Sequence, residues 1–479
     1  MEKYKVLLVS PGLSTKKQAG SLKGIANVLP TLGIGYIASI LEREGFDVSI
    51  LDCIGKPMEL DVILSKCRNV KANLIGVTAT VLTINTAYEI GRNLKEVFPQ
   101  VPLVIGGAQF CADPKETLEK NIFDMGIIGE GEETFLEIAT ALRSGCFSPE
   151  NIRGIAYKRD GKLVQNEPRP YILDLDAIPF PARHLYPPLS AYKPVPASYI
   201  RKPVGLMITS RGCPYQCIFC DRAVFGNKFR AHSPKYVVDE IELLINKFGA
   251  KEIRFMDDTF TMNTERVYAI CNEIFKRKIK VPWTCNTRVD RVTLNLLKTM
   301  KRAGCWQVIY GLESGDDNML CAMKKGVTVG DNERAVSLAR KTGLNVRATF
   351  VFGMPGETLS SIRKTVDFAK KAKLDVVNFF TVMLYPGNEL YKIAKQKGKV
   401  LHSNYEQYTS MIDVEETDLH YIPEGMTEKQ LKNAIVDAHR SYYFRLPFLI
   451  REILNIRSID DISRYWSAFN ALVSLRKKR

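Results

Sequence analysis

Arg211-Gly212-Cys213-Pro214-Tyr215-Gln216-Cys217-Ile218-Phe219-Cys220 sets three cysteines within eight residues. The stretch follows an apolar run, 206–210 (LMITS), that reads as a strand. Three thiols in one loop cannot all pair with one another as disulfides, but they can converge on one metal centre. No fourth Cys or His lies close by, which argues against a closed structural zinc site. A [4Fe–4S] cluster prefers thiolate ligands. Held by only three, it keeps one iron open for a substrate or cofactor. On spacing alone, a zinc or redox loop and three unrelated cysteines stay open as readings.

Downstream, strand and helix patterns alternate. Strands are expected at 252–256, 282–286, 306–311, 346–352 and 376–381, and helices at 235–248, 264–277, 291–303, 331–342, 359–372 and 388–397. With the cysteine-bearing strand this makes six βα units. Such an array curls into a full or partial barrel with its chemistry at the C-terminal strand ends. Those ends carry Asp257-Asp258, Asn286 with Arg288, Glu313-Ser314-Gly315, Gly353 with Pro355-Gly356-Glu357, and Tyr385-Pro386-Gly387. The cysteine loop belongs to the same rim. A plainer use for Asp257 and Asp258 is the capping of helix N–H groups.

Upstream, strands are expected at 4–9, 47–51, 74–78, 102–105 and 124–128, with helices at 32–44, 85–97, 114–120 and 132–143. This is again a βα alternation, hence a doubly wound parallel sheet with helices on both faces. Ligands of such sheets sit at the carboxyl ends of the strands, here Ser10–Gly12, Asp52, Thr78–Thr80, Gly106–Gln109 and Gly129–Glu132. Gly106-Gly107 and Gly129-Glu130-Gly131-Glu132 would let a large flat ligand approach the backbone. The segment has neither GxGxxG nor a GxxxxGK[ST] loop. The first histidine of the chain is His184, so this segment offers no imidazole to a metal. Residues 151–200 are rich in Pro, Tyr and charge and read as a linker, Pro179, Pro181, Pro187 and Pro188 favouring an extended path. The expected organisation is 1–150, a linker at 151–200, a barrel at 201–400 and a helical extension at 401–479.

Composition is consistent with this. The chain has 479 residues, 46% hydrophobic and 25% charged, which is the balance of a soluble globular protein and excludes disordered, collagen-like or porin-like chains. A formal net charge of +16 suggests an anionic partner or simply a lysine-rich solvated surface. The 11 cysteines are an odd number, mostly isolated, and no signal-peptide pattern opens the sequence, so reduced thiols and a cytoplasmic location are expected. The longest uncharged stretch, Gly24 to Leu41, contains Asn27, Pro30, Gly33 and Gly35 and reads as a loop feeding a buried helix rather than a membrane span.

The CxxxCxxC loop after a strand, Phe219 before the third cysteine, and the six βα units resemble the radical S-adenosylmethionine (SAM) superfamily. The N-terminal segment resembles the cobalamin-binding domain found upstream of the barrel in one large subgroup, through Pro30-Thr31-Leu32-Gly33-Ile34-Gly35-Tyr36, Gly106-Gly107 and Gly129–Glu132. That subgroup includes C-methyltransferases, an anaerobic Mg-protoporphyrin ester cyclase and lipid-modifying enzymes. The resemblance implies that Cys213, Cys217 and Cys220 bind three irons and that SAM chelates the fourth. One electron then cleaves SAM to methionine and a 5′-deoxyadenosyl radical. It implies Phe219 near the adenine and Asp258, Glu313, Ser314 and Gly353 as SAM contacts. For cobalamin it implies Pro11, Leu32, Gly33, Thr78, Gly106, Gly107, Gln109, Gly129, Glu130, Gly131 and Glu132. In methyltransferase members methylcobalamin delivers a methyl group to a substrate radical, and a second SAM remethylates the cobalt.

Two departures stand out. The Asp-x-His-x-x-Gly cobalt-ligating motif is absent, and Gly106-Gly107 is followed by Ala108-Gln109 where many relatives carry Pro-His. The leading expectation is radical C-methylation of an unactivated carbon of a small-molecule or lipid substrate, with a ferredoxin or flavodoxin as electron donor. The alternative is cyclisation or rearrangement without net methylation. A methylthiotransferase lacks support, since Cys53, Cys67 and Cys111 sit on different elements. A metal-stabilised nucleic-acid-binding protein would need a basic-aromatic array the chain lacks, so no nucleic acid partner is expected. From Thr427 the pattern turns helical, with Ser441–Phe448 leading into Leu449, Ile450, Ile453 and Leu454 among Arg451, Arg457 and Arg464, ending Arg476-Lys477-Lys478-Arg479. This reads as a helical cap on the barrel, or as basic helices able to lie peripherally on an anionic membrane.

Overall fold

The computed structural model describes residues 3–12, 29–401 and 419–454. Strands β1 (Lys5–Ser10), β2 (Asp47–Asp52), β3 (Leu74–Thr78), β4 (Leu103–Gly106) and β5 (Met125–Ile127) form a parallel sheet in the order β2-β1-β3-β4-β5. Val6, Leu7, Leu8 and Val9 are all buried because helices cover both faces. Helices Leu32–Arg43 and Gly131–Ser144 place Ile34, Ala38, Leu41, Phe135 and Ile138 against Val6 and Leu8. Helices Leu60–Val70 and Ile84–Val97 place Ile63, Leu64, Ile84 and Leu94 against Leu7 and Val9. The chain reverses direction between β1 and β3, so the crevice beyond their carboxyl ends is the natural ligand position.

The five expected strands and four expected helices of this part form. Helix Leu60–Val70 and the short helix Ala108–Ala112 were not anticipated. The expected linker is also more ordered than its composition suggests. β6 (Ile155–Arg159) and β7 (Lys162–Gln165) add an antiparallel hairpin to the sheet beyond β5, turned by Asp160 and Gly161 at positive φ. Only after Gln165 does the chain leave this sheet, in short turns that run to the second one. Arg183, on one of those turns, is buried. It donates to Leu206 O at 2.6 Å and Glu240 Oε1 at 2.5 Å.

The second sheet holds β8 (Val204–Met207), β11 (Glu252–Phe255), β12 (Trp283–Thr287), β13 (Cys305–Glu313), β14 (Asn345–Phe352) and β15 (Val376–Thr381), all parallel and in sequential order. A two-residue ladder of β9 (Ser210–Arg211) and β10 (Arg230–Ala231) closes the cysteine loop at its base. The outer face carries the apolar core. Ile253, Phe255, Trp283, Cys285, Val308, Tyr310, Val346, Ala348 and Phe350 meet helices Pro234–Asn246, Thr264–Lys276, Leu294–Arg302, Val329–Lys341 and Leu359–Lys371. Six strands in one curved row leave the barrel incomplete, as expected.

Thr427 caps helix Glu428–Tyr443 through a reciprocal pair with Gln430. That helix packs beside β15, with Tyr442 Oη donating to Leu374 O and Tyr443 Oη to Val377 O. The cap reading therefore describes residues 428–443. The following helix, Leu446–Leu454, exposes Leu446 and Ile450. The basic segment 455–479, including Arg457, Arg464 and Arg476–Arg479, lies outside the described residues, as do 24–28 of the uncharged stretch. No helix among the described residues is long and apolar enough to cross a membrane.

Candidate active site

The cysteine loop starts at Gly212, whose φ of +80° opens a turn away from β9. A Cβ there would sit 2.9 Å from Lys228 C and 3.0 Å from Phe225 O. Backbone bonds then fix the loop. Cys213 N donates to Gly226 O at 3.3 Å, Ile218 N to Met323 O at 3.1 Å, and Leu390 N to Ile218 O at 3.0 Å. Arg222 Nη1 donates to Tyr215 O at 2.5 Å. Cys213 is half-buried, Cys217 buried and Cys220 open to solvent. Gly212→Ala is therefore expected to cost at least about 2 kcal/mol, since neither the left-handed backbone nor the backbone atoms facing it can yield. Urea denaturation and iron content of the purified variant check this.

Charge around the loop favours thiolate at Cys217, while burial raises Cys213. The hydrogen bond from Cys220, then the Lys325 and Arg288 charges, hold the Cys217 thiol down at about 6, while the same bond pushes Cys220 up. Arg288 Nη1 lies 4.0 Å from Cys217 Sγ and its guanidinium stacks 3.5 Å from the Tyr215 ring. Lys325 is buried, pairs with Glu313 Oε1 at 2.8 Å and lies 5.9 Å from the Phe219 ring. A loop pinned by its backbone, carrying three thiols with cations at one of them, fits a cluster ligand set.

The other rim residues divide by use. Asp257 is buried and receives Thr209 N, Thr209 Oγ1 and Ser210 Oγ at 2.6, 2.6 and 2.7 Å, which ties β11 to the strand end before the cysteines. Asp258 follows Asp257 beyond the end of β11. Partial desolvation, then neighbouring Asp257, holds its carboxyl above the usual range. Gly353 has φ +89°, and its N–H, with that of Met354, donates to Glu357 Oε2. Burial pushes the Glu357 carboxyl up to about 8, and its Oε1 is buried without a partner among the described residues. Phe219 packs against Met319, Met323 and Met354. These groups fit a polar, partly apolar cofactor next to the thiols. Ser314 and Glu313 are engaged internally: Ser314 Oγ bonds Thr365 Oγ1 at 3.1 Å and receives Asp316 N, while Glu313 holds Lys325.

In the first domain Thr78 and Gly106 end strands β3 and β4, and Pro11 and Gly129 follow the carboxyl ends of their neighbours β1 and β5. Gly107, φ +96°, presses its α-carbon where a Cβ would stand 2.5 Å from Ala79 O. Among the described residues nothing lies within 4 Å of a Cβ built at Gly33 or Gly129, so their backbone faces no described neighbour. Gln109 is buried, and its Nε2 has no partner among the described residues. An open, glycine-faced strand end with an orphaned amide fits a broad ring ligand such as a corrinoid. Leu32 packs instead towards the second domain, with Leu175, Val204 and Leu206, and Gly131 faces Ile37.

Glu130 and Glu132 are placed differently from the expectation. Their carboxylates cross to the second domain. Arg211 Nη1 reaches Glu130 Oε1 at 2.7 Å, Arg211 Nη2 reaches Glu132 Oε1 at 2.6 Å, and Arg230 Nη1 reaches Glu130 Oε2 at 2.6 Å. All are buried. The sequence reading missed Arg211 and Arg230, although both flank the cysteine loop. Nearby, Tyr36 Oη donates to Ile208 O at 3.3 Å. On the other side of the loop Met383 and Tyr385 pack against the first domain's core, and a Cβ on Gly387 would lie 3.4 Å from Ala112 O. Burial, then the charges of Asp221 and Cys220, push the Tyr385 hydroxyl up to about 12. The strand-end rims of the two sheets therefore face one another, with the cysteine loop between them.

A family model described as the radical SAM superfamily matches residues 207–369, and one described as the B12 binding domain matches residues 22–139. The chain is 33% identical over 455 residues to an uncharacterized methyltransferase of Pyrococcus horikoshii, spanning 95% of each. It is 28% identical over 438 residues to the anaerobic magnesium-protoporphyrin IX monomethyl ester cyclase of Rubrivivax gelatinosus, spanning 89% of this chain and 76% of that one. The fold superposes on the radical S-adenosylmethionine methyltransferase TsrM from Kitasatospora setae, solved with cobalamin and a [4Fe-4S] cluster, at TM-score 0.73 and 20% identity over 99% of both chains. The chain belongs to the radical SAM superfamily, in its cobalamin-dependent branch that holds methyltransferases and cyclases.

Proposed function

We propose that the chain is a C-methyltransferase acting on an unactivated carbon of a small molecule or lipid, with a ferredoxin- or flavodoxin-type reductant. The observation that carries the proposal is the meeting of the two rims: Glu130 and Glu132, beyond a strand end of the first domain, pair with Arg211, two residues before Cys213. When bound, the cluster with SAM supplies hydrogen-atom abstraction, and cobalamin supplies a methyl group. The chain's own residues set the distances between them. Arg211 and Arg230 lock Glu130 and Glu132 and so fix the first domain's strand end relative to the cysteines. Met383 and Tyr385 pack against the first domain's core across the seam. Lys325 and Arg288 keep positive charge beside Cys217. Glu357 holds the backbone N–H groups of Gly353 and Met354 and so fixes the turn after β14.

The test follows metabolites and lipids from cells with and without the gene, then incubates the purified protein anaerobically with the matched precursor and SAM bearing a deuterated methyl group. A product gaining one labelled methyl in place of hydrogen is expected. A product that only loses hydrogens, without label, would establish ring closure instead.

A further inference from the structure

The concave face of the second sheet carries two arginines with no ion-pair partner among the described residues. Strand alternation fixes their direction. Ile253 and Phe255 of β11, and Val346, Ala348 and Phe350 of β14, belong to the outer core, so Arg254 and Arg347 point to the concave side. β12 and β13 separate β11 from β14, so the two guanidiniums approach only across the concavity. Register places Arg254, Thr284 and Gln307 side by side, with Ile309 and Arg347 in the next row towards the rim.

These side chains are nine-tenths or more buried, yet Arg254 Nε and Nη1, Arg347 Nη1, Thr284 Oγ1 and Gln307 Oε1 all lack a hydrogen-bond partner among the described residues. Arg347 has one neutral neighbour: the Asn378 side-chain oxygen takes its Nε and Nη2 at 3.1 and 2.8 Å when the amide is turned to satisfy its bonds. Glu252 shares Arg254's face, but Ile200 N, Arg201 N and Trp306 Nε1 already occupy it at 2.8, 2.9 and 2.9 Å. The floor beneath is closed by Gln307 Nε2, which donates to Asn345 Oδ1 at 2.7 Å and Ala197 O at 3.4 Å. Above, the same face is open, with Asn286, Thr349, Val351, Asn378 and Phe380 half-buried up to the rim of the cysteine loop.

Burial, then the Arg347 charge, pushes the Arg254 guanidinium down to about 10, and burial lowers Arg347 as well. Both remain cationic at neutral pH. A pair of buried like charges opposes folding unless something binds it. The geometry points to an oxyanion site: Arg254 and Arg347, with Thr284 and Gln307, hold a carboxylate or phosphate borne by the substrate at the floor of the open barrel. That the ligand is the substrate rests on the methyl-transfer reading above. Arg347 stands five positions before the end of β14 at Phe352, about 16 Å at the rise of a strand, and Arg254 one position before the end of β11 at Phe255, about 3 Å. The oxyanion is therefore held within the sheet's concave face, below the rim that carries the cysteine loop.

The test uses thermal unfolding of the full chain, purified anaerobically, with inorganic phosphate and with acetate against chloride at equal ionic strength. Wild type is expected to gain several degrees, saturably, with at least one oxyanion. Arg254→Met and Arg347→Met are expected to lose that gain and to melt in chloride no lower than wild type, while Arg347→Lys keeps part of it. A response that is absent, or that persists in both Met variants as for an adventitious ion only, overturns the site. The methylated product is then passed over an anion exchanger. Retention abolished by phosphatase identifies a phosphate, retention that survives it a carboxylate, and a product that is not retained overturns the inference. An arginine-dependent oxyanion response with no methylated product would leave this site standing and remove the methyl-transfer reading instead.

Discussion

Replacing Cys213, Cys217 and Cys220 together by Ala is expected to give a folded, colourless protein that contains no iron and releases no 5′-deoxyadenosine from SAM with dithionite. The loss is complete rather than graded, because one loop supplies all three thiols. Folding survives because the loop is held by its backbone, through Ile218 N to Met323 O and Leu390 N to Ile218 O, and not by the cysteine side chains. Cys220 is exposed and Cys213 half-buried, so their truncation leaves little void; only buried Cys217 gives up packing, on the order of 1 kcal/mol. Iron analysis and chromatography of the nucleoside product measure the outcome. Nucleoside release by the triple variant would place the cluster elsewhere.

Arg211→Met is expected to destabilise the protein by about 3–5 kcal/mol, the usual cost of stranding buried charge. Arg211 is 3% exposed and neutralises Glu130 and Glu132, themselves 7% and 5% exposed. Its guanidinium also stands 5.3 Å from the Tyr36 ring and 5.2 Å from the Phe225 ring, so the replacement cannot be filled by water without opening the domain seam. Arg230→Met should cost less, because Glu130 keeps Arg211 as its partner. Adding Glu132→Gln to Arg211→Met should recover most of the loss, since Glu130 keeps Arg230 as its partner and the one stranded carboxylate is then gone. Urea titration of the four proteins orders them. A loss below about 1 kcal/mol for Arg211→Met would show that the network carries no stability across the seam.

Both sheets were legible because their strands are buried on both faces or alternate cleanly. LIGVT at 74–78 and VVNFFT at 376–381 appear at their expected positions. Helix Leu60–Val70 was not, because its buried face is only Ile63, Leu64 and Cys67 among charged residues. The hairpin at 155–165 was hidden by an exposed second strand, Lys162–Gln165, whose pattern carries no apolar alternation. At the site, local spacing revealed the cysteines but no spacing reveals that Glu130 and Glu132 meet Arg211, which lies 81 and 79 residues further along. Arg254 and Arg347 were equally invisible: a lone arginine in an apolar strand says nothing until curvature brings β11 and β14 across from one another.

The most direct measurement is the joint cofactor content of the full chain, produced anaerobically with cobalamin supplied and then reconstituted with iron and sulfide. Two facing rims predict one corrinoid and one four-iron cluster in each chain. The corrinoid should be retained when the three cysteines are removed and lost when Gly106 and Gly129 are both replaced by Val. A chain that fills with iron but retains no corrinoid would contradict the account, for the first domain would then be a scaffold without a ligand.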